Sequence, residues 1–62
     1  MRMFRVLKQF NAFNEDGEPQ LVKDDLLLAE VPIRGWVRFY GKDADFSLQE
    51  EDFVRFTEPI GS

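Results

Sequence analysis

Gly35-Trp36-Val37-Arg38-Phe39-Tyr40-Gly41 is the stretch on which the reading of this chain turns. Between its two glycines the side chains alternate, Trp36, Arg38 and Tyr40 on one side and Val37 and Phe39 on the other. That is the period of a β-strand with one face in a core. With Val37 and Phe39 pointing inward, pleat geometry turns Trp36, Arg38 and Tyr40 outward.

Turn signals bracket this strand. Downstream, Gly41-Lys42-Asp43-Ala44 returns the chain into a strand over Asp45 to Leu48, which pairs with the preceding one as a hairpin. Upstream, Pro32-Ile33-Arg34-Gly35 is a turn, and Pro32, which cannot donate to a ladder, stops a strand running from Leu26 to Val31. Phe4 to Phe10 reads as a first strand, with Phe4, Val6 and Phe10 on one face and Arg5, Leu7 and Gln9 on the other. Asn11 to Pro19 follows as a hairpin-like loop whose turn is Asn14-Glu15-Asp16-Gly17. Ser47-Leu48-Gln49-Glu50 fits S-x-x-E, so the spacing predicts one helical or 3₁₀ turn through Glu51-Asp52, then a short last strand over Phe53 to Phe56. A longer amphipathic helix over Ser47 to Phe56 is the competing reading. The predicted core is Phe4, Val6, Phe10, Leu26, Leu28, Val37, Phe39, Phe46, Val54 and Phe56.

Five short strands in so little chain suit a small, strongly bent, partly open barrel, all-β and mostly antiparallel, better than a two-sheet sandwich. The 62 residues allow one domain, read as 1–58 with a fraying tail at 59–62. With no cysteine, no thiolate zinc site or disulfide supplements the core. With no histidine either, the usual general base at neutral pH is missing, and the expectation is a protein that is not an enzyme and uses no cofactor. The longest apolar run, Leu26-Leu27-Leu28-Ala29, falls far short of the roughly 20 residues that cross a bilayer. The N-terminal segment has no continuous apolar stretch of the kind a signal peptide carries. A cytoplasmic protein without a membrane segment is the expectation.

The order of these signals resembles a Src-homology-3 domain, or the wider group of small barrels of that shape. Val6-Leu7-Lys8-Gln9-Phe10 stands where that family has its first strand, and Glu15-Asp16 with Glu18-Pro19-Gln20-Leu21 where it has an acidic hairpin loop. Asp24-Asp25 precedes Leu26-Leu27 like the family's Gly-Asp pair. Gly35-Trp36-Val37 is similar to its Gly-Trp-Trp, Gly41-Lys42-Asp43-Ala44 to its distal turn, and Phe46 with Phe53-Val54 to its terminal segment. The resemblance spans residues 6–56. It implies an SH3-like barrel and a protein-binding role. The family positions that wall a polyproline ligand hold Lys8 and Ser47 here, so the resemblance implies the fold more strongly than it implies polyproline recognition.

Trp36, Arg38 and Tyr40 form the candidate interaction surface, with Phe53 placed beside them by the implied topology and Phe13 added at the hairpin loop. Trp, Tyr and Arg are the residue types most enriched at binding hot spots. Glu15, Asp16 and Glu18 resemble the acidic cluster that meets a ligand arginine in the family and would orient a basic partner. The charge is blocked along the chain: +3 over 1–10, -5 over 11–30, +3 over 31–42, -5 over 43–52 and neutral beyond. A net charge of -4 counts against nucleic acid as partner, despite the interleaved Arg34, Trp36, Arg38, Tyr40 and Lys42. Asp43, Asp45, Glu50, Glu51 and Asp52 lack the spacing of a calcium loop. Two readings follow: a protein- or peptide-binding module acting through its aromatic face, and a small acidic inhibitor or nucleic-acid mimic that covers a basic surface.

Overall fold

The structure is a computed structural model and describes residues 1–61. In chain order its elements are β1 (Arg2–Val6), β2 (Phe10–Phe13), β3 (Pro19–Val22), β4 (Leu26–Ala29), β5 (Trp36–Tyr40), β6 (Asp45–Gln49), α1 (Glu50–Phe56) and β7 (Thr57–Pro59). The strands form one antiparallel sheet in the order β3-β2-β6-β5-β4-β1-β7. The protein is therefore mostly antiparallel β with one short helix. The sheet has seven strands rather than the five expected, and its two ends do not pair.

The extra strands come from the segments on either side of the Asn14 turn. Phe10-Asn11-Ala12-Phe13 alternates buried and exposed residues and pairs with β3 from Phe10↔Val22 to Phe13↔Pro19. The expected first strand, Phe4 to Phe10, is in fact two. β1 ends at Val6, whose N–H donates to the Asp25 carbonyl at 2.8 Å, and Leu7 donates to the Phe56 carbonyl at 2.8 Å. The chain then leaves β4 and β7 and begins again in β2, which touches the rest of the sheet at the single register pair Phe13↔Ser47. At the far edge, β7 pairs with β1 through Pro59, and the Ile60 N–H donates to the Met3 carbonyl at 3.0 Å. Residues 59 and 60 of the expected tail are thus paired, while Ser62 lies outside the described residues.

The core lies on the inner face of the sheet, under α1. Val37 and Phe39 are buried as expected, with Phe10 and Phe46, and Phe4, Val6 and Phe56 pack against them half-buried. Leu26 and Leu28 are not core residues: they face outward, and Leu27 and Ala29 take the inner positions. In an unbroken apolar run the pattern itself cannot choose a face, and a one-residue shift exchanges the two sides. Here the choice comes from pairing, because Ala29 stands in register with Phe39 and Leu28 with Tyr40.

Phe53 to Phe56 is helical, not a strand. A strand would set Phe53 and Phe56 on opposite faces, whereas a helix places residues three apart on the same one. Both rings then reach the core: Phe53 is 1% exposed and Val54, assigned to the core from sequence, is 61% exposed. Phe53 meets Phe4 edge-on at 4.9 Å and Phe39 at 5.0 Å, and Phe56 stacks on Phe10 at 5.2 Å between centroids. The S-x-x-E box does not form, since Ser47 stays in β6 and Gln49 is the N-cap residue without a side-chain bond. The Glu50 N–H instead donates to the Gly35 carbonyl at 2.8 Å. Glu50, Glu51 and Asp52 in the first turn and Arg55 in the last suit the helix dipole. Thr57 stops the helix: its hydroxyl donates to the Phe53 carbonyl at 2.7 Å from a buried position.

A two-residue turn joins Ile33 to Trp36, which exchange both backbone hydrogen bonds at 2.9 and 3.0 Å. Its central residues, Arg34 and Gly35, both have positive φ, at 53° and 80°. That is the backbone a tight hairpin wants, and it is strained for arginine and natural for asparagine. Arg34→Asn should therefore raise stability by about 1 kcal/mol, read as a higher thermal midpoint. For the helix, Phe53→Ala should cost about 3–5 kcal/mol in urea unfolding. Val54→Ala should change stability by no more than about 0.5 kcal/mol, and a loss at Val54 as large as at Phe53 would restore the strand reading.

Candidate functional site

Six of the seven phenylalanines belong to the core or pack against it; Phe13 is the exception. It sits on the outer face of β2, 39% exposed, with its ring 6.1 Å from that of Trp36, which is 42% exposed. Trp36 is outward for the reason given by the alternation of β5, whose burial pattern runs exposed, buried, exposed, buried, half-buried. Arg38 shares that face, and Tyr40 is at its half-buried end. Of the candidate residues, Trp36, Phe13 and Arg38 are therefore brought together on one open surface. Phe53 is not among them. Its assignment to the exposed face is corrected by its place in the core, a consequence of the helix that replaces the last predicted strand.

The Trp36 surface is the floor of an open groove of about 540 Å³. One wall is the β2–β3 turn, with Asn14, Glu15 and Gly17; the other is the β4–β5 connection, with Glu30, Val31 and Ile33. The first wall is ordered by Asn14, whose side-chain oxygen accepts from the N–H groups of Asp16 and Glu18 at 2.9 and 3.0 Å. Its amide group donates to Gln20 at 2.9 Å, and Gly17 supplies the positive φ of 78° that the turn requires. Glu15, Asp16 and Glu18 are consequently displayed by a defined turn, all exposed, as the sequence reading of this loop expected. The second wall was missed. Val31 and Ile33 are among the most exposed large apolar residues of the protein, and their position around a proline, just before a tight turn, was the available signal.

Arg38 is the one cation in the lining of this groove, which also holds Glu30 and Asp45. The Glu30 carboxylate also accepts the hydroxyl proton of Tyr40. This bond, then desolvation and the charge of Glu30, hold the Tyr40 pKa above its ordinary 10.0, against the opposing pull of Arg38. Among the described residues, no three acidic side chains converge as a metal cage, and no helix is long and apolar enough to cross a membrane. No family model, curated protein or solved structure matches this chain.

The Tyr40–Glu30 bond has a measurable consequence. Because the folded state holds the phenol proton more tightly than the unfolded state, its contribution to stability is complete below pH 10 and fades as pH rises through the elevated folded pKa. Tyr40 is the only tyrosine, so the rise in absorbance at 295 nm reports it alone. Its midpoint should lie above 10.0 in the native protein and move down in Glu30→Gln; an unmoved midpoint would mean that Glu30 does not control it.

Proposed function

We propose that this chain is a non-enzymatic interaction module that binds a protein or peptide segment in the groove floored by Trp36. The observation that carries the reading is the exposed Trp36–Phe13 pair, with Trp36 in the groove between two walls of different character and Phe13 beside it in the adjoining cleft. Partly exposed aromatic rings in a concave site offer large rigid contact area at small entropic cost. The Val31–Ile33 wall suits an apolar side chain, and the Glu15, Asp16 and Glu18 turn suits a cationic one. The segment that fits is short, with an apolar anchor and a neighbouring lysine or arginine.

The finer fold reading belongs to the same proposal. We read β1, β4, β5, β6 and β7 as the strands of a partly open SH3-like barrel, with the β2–β3 hairpin as its long first loop. Support comes from the β4–β5–β6 meander, the helix just before the last strand and the pairing of that strand with the first. The apolar anchoring also favours this module over the acidic inhibitor, which would act through Glu15, Asp16 and the other carboxylates with no need of exposed rings.

The test uses peptides selected from a displayed library on the native protein, with affinities from titration calorimetry. Trp36→Ala should weaken binding about thirtyfold or more, equivalent to about 2 kcal/mol, with the far-UV spectrum unchanged. Phe13→Ala should act in the same direction. Glu15→Lys combined with Asp16→Lys should cost less, and its effect should shrink with added salt. If the loop reversal abolishes binding while Trp36→Ala retains it, the acidic mechanism replaces this one.

A further inference from the structure

The outward turn of Leu26 and Leu28 leaves β4 apolar on both sides. One side is the core. The other is exposed, with Leu26 at 49%, Leu28 at 42% and Met3 beside it at 42%. Register makes this a continuous row, because Met3 pairs with Leu28 and Leu28 with Tyr40. An exposed apolar row across three strands is the kind of surface that soluble domains cover.

We propose that a second copy of this chain covers it, the two sheets packing face to face about a two-fold axis that runs along the seam between β4 and β5. The charges flanking the row select this occupant. Arg5 stands on the β1 side, in register with Leu26, and Asp45 on the β6 side, in register with Tyr40. A two-fold axis along the seam exchanges β4 with β5 and β1 with β6. Leu28 of one copy then lies over Tyr40 of the other, and Arg5 over the strip holding Asp43 and Asp45. Arg5 and Asp45 are each about one and a half strand spacings, roughly 7 Å, from the axis, and are offset along it by about two residues, roughly 7 Å. An arginine side chain spans that offset. A self-complementary interface needs both signs on one patch; here Arg5 stands on one side of the axis and Asp43 and Asp45 on the other, with Lys42 beside Asp43. The existing partner of Arg5, Glu58 at 3.5 Å, is exposed like Arg5 itself, and such a pair exchanges readily. The patch shares Asp45 with the lining of the Trp36 groove, but Met3, Leu26, Leu28 and Tyr40 lie outside that groove, so this inference does not rest on the peptide-binding reading.

Sedimentation equilibrium over about a hundredfold concentration range tests it, with the average mass rising from 7.3 kDa toward twice that value. Leu28→Arg should remain a monomer throughout, with circular dichroism showing the native fold. Arg5→Asp and Asp45→Arg should each weaken self-association about tenfold, and the two together should restore it, since each pair is re-formed with its signs exchanged. Trp36→Ala should self-associate like the native protein while losing peptide, which separates failure of one reading from failure of the other. A native protein that stays at 7.3 kDa at every concentration overturns the proposal and leaves the row to a different partner. So does a double variant that associates no better than either single one.

Discussion

The ring of Phe39 is the contact on which the remaining structure depends. It has no exposed surface, and three other rings lie against it: Phe10 at 6.0 Å, Phe46 at 5.4 Å and Phe53 at 5.0 Å. Those rings come from β2, β6 and α1, so a single side chain joins the hairpin, the meander and the helix. The hairpin needs that anchor, because its backbone meets the sheet at one register pair. In a chain of this size without cysteine, such burial is the main source of cohesion, each fully buried large side chain contributing about 1.5–3 kcal/mol before entropy is counted.

Phe39 also determines what the protein shows to solvent. Once its ring is inward, the pleat turns Trp36 and Arg38 outward, and register carries the same division across the sheet. Ala29, opposite Phe39, faces in; Leu28, opposite Tyr40, and Met3, opposite Leu28, face out. This explains which parts could be read from sequence. Strand β5 was legible because its side chains alternate, and the Asn14 turn because Asn and Gly have conformational roles that need no partner. The faces of β4 were not legible: four apolar residues in a row contain no period, and the residues that decide their direction lie elsewhere in the chain.

The helix was obscured by a different cause. Phe53-Val54-Arg55-Phe56 satisfies neither period cleanly, and local propensity is no help with a valine and two phenylalanines. What selects the helix is the availability of two places in the core, beside Phe39 and beside Phe10, that can be filled together only when the rings project from one side. The error propagated into the site, since reading this segment as a strand placed Phe53 on the surface and Val54 inside. Phe13 shows the reverse situation. Its place beside Trp36 follows from the pairing of β2 with β6, a long-range contact that no local pattern announces.

An open sheet has two edges, and unpaired edges invite other strands. Here each edge strand carries a proline, Pro19 in β3 and Pro59 in β7, and each is short. A proline offers no N–H to an incoming strand, so extension by backbone pairing is opposed at both ends. The faces are not protected in the same way. The inner face is filled by phenylalanine, while the outer one keeps Met3, Leu26, Leu28, Phe13 and Trp36 in contact with water. Association through side chains is thus left open where association through the backbone is hindered. Side-chain packing with a fixed charge pattern distinguishes partners in a way that backbone pairing, common to every polypeptide, does not.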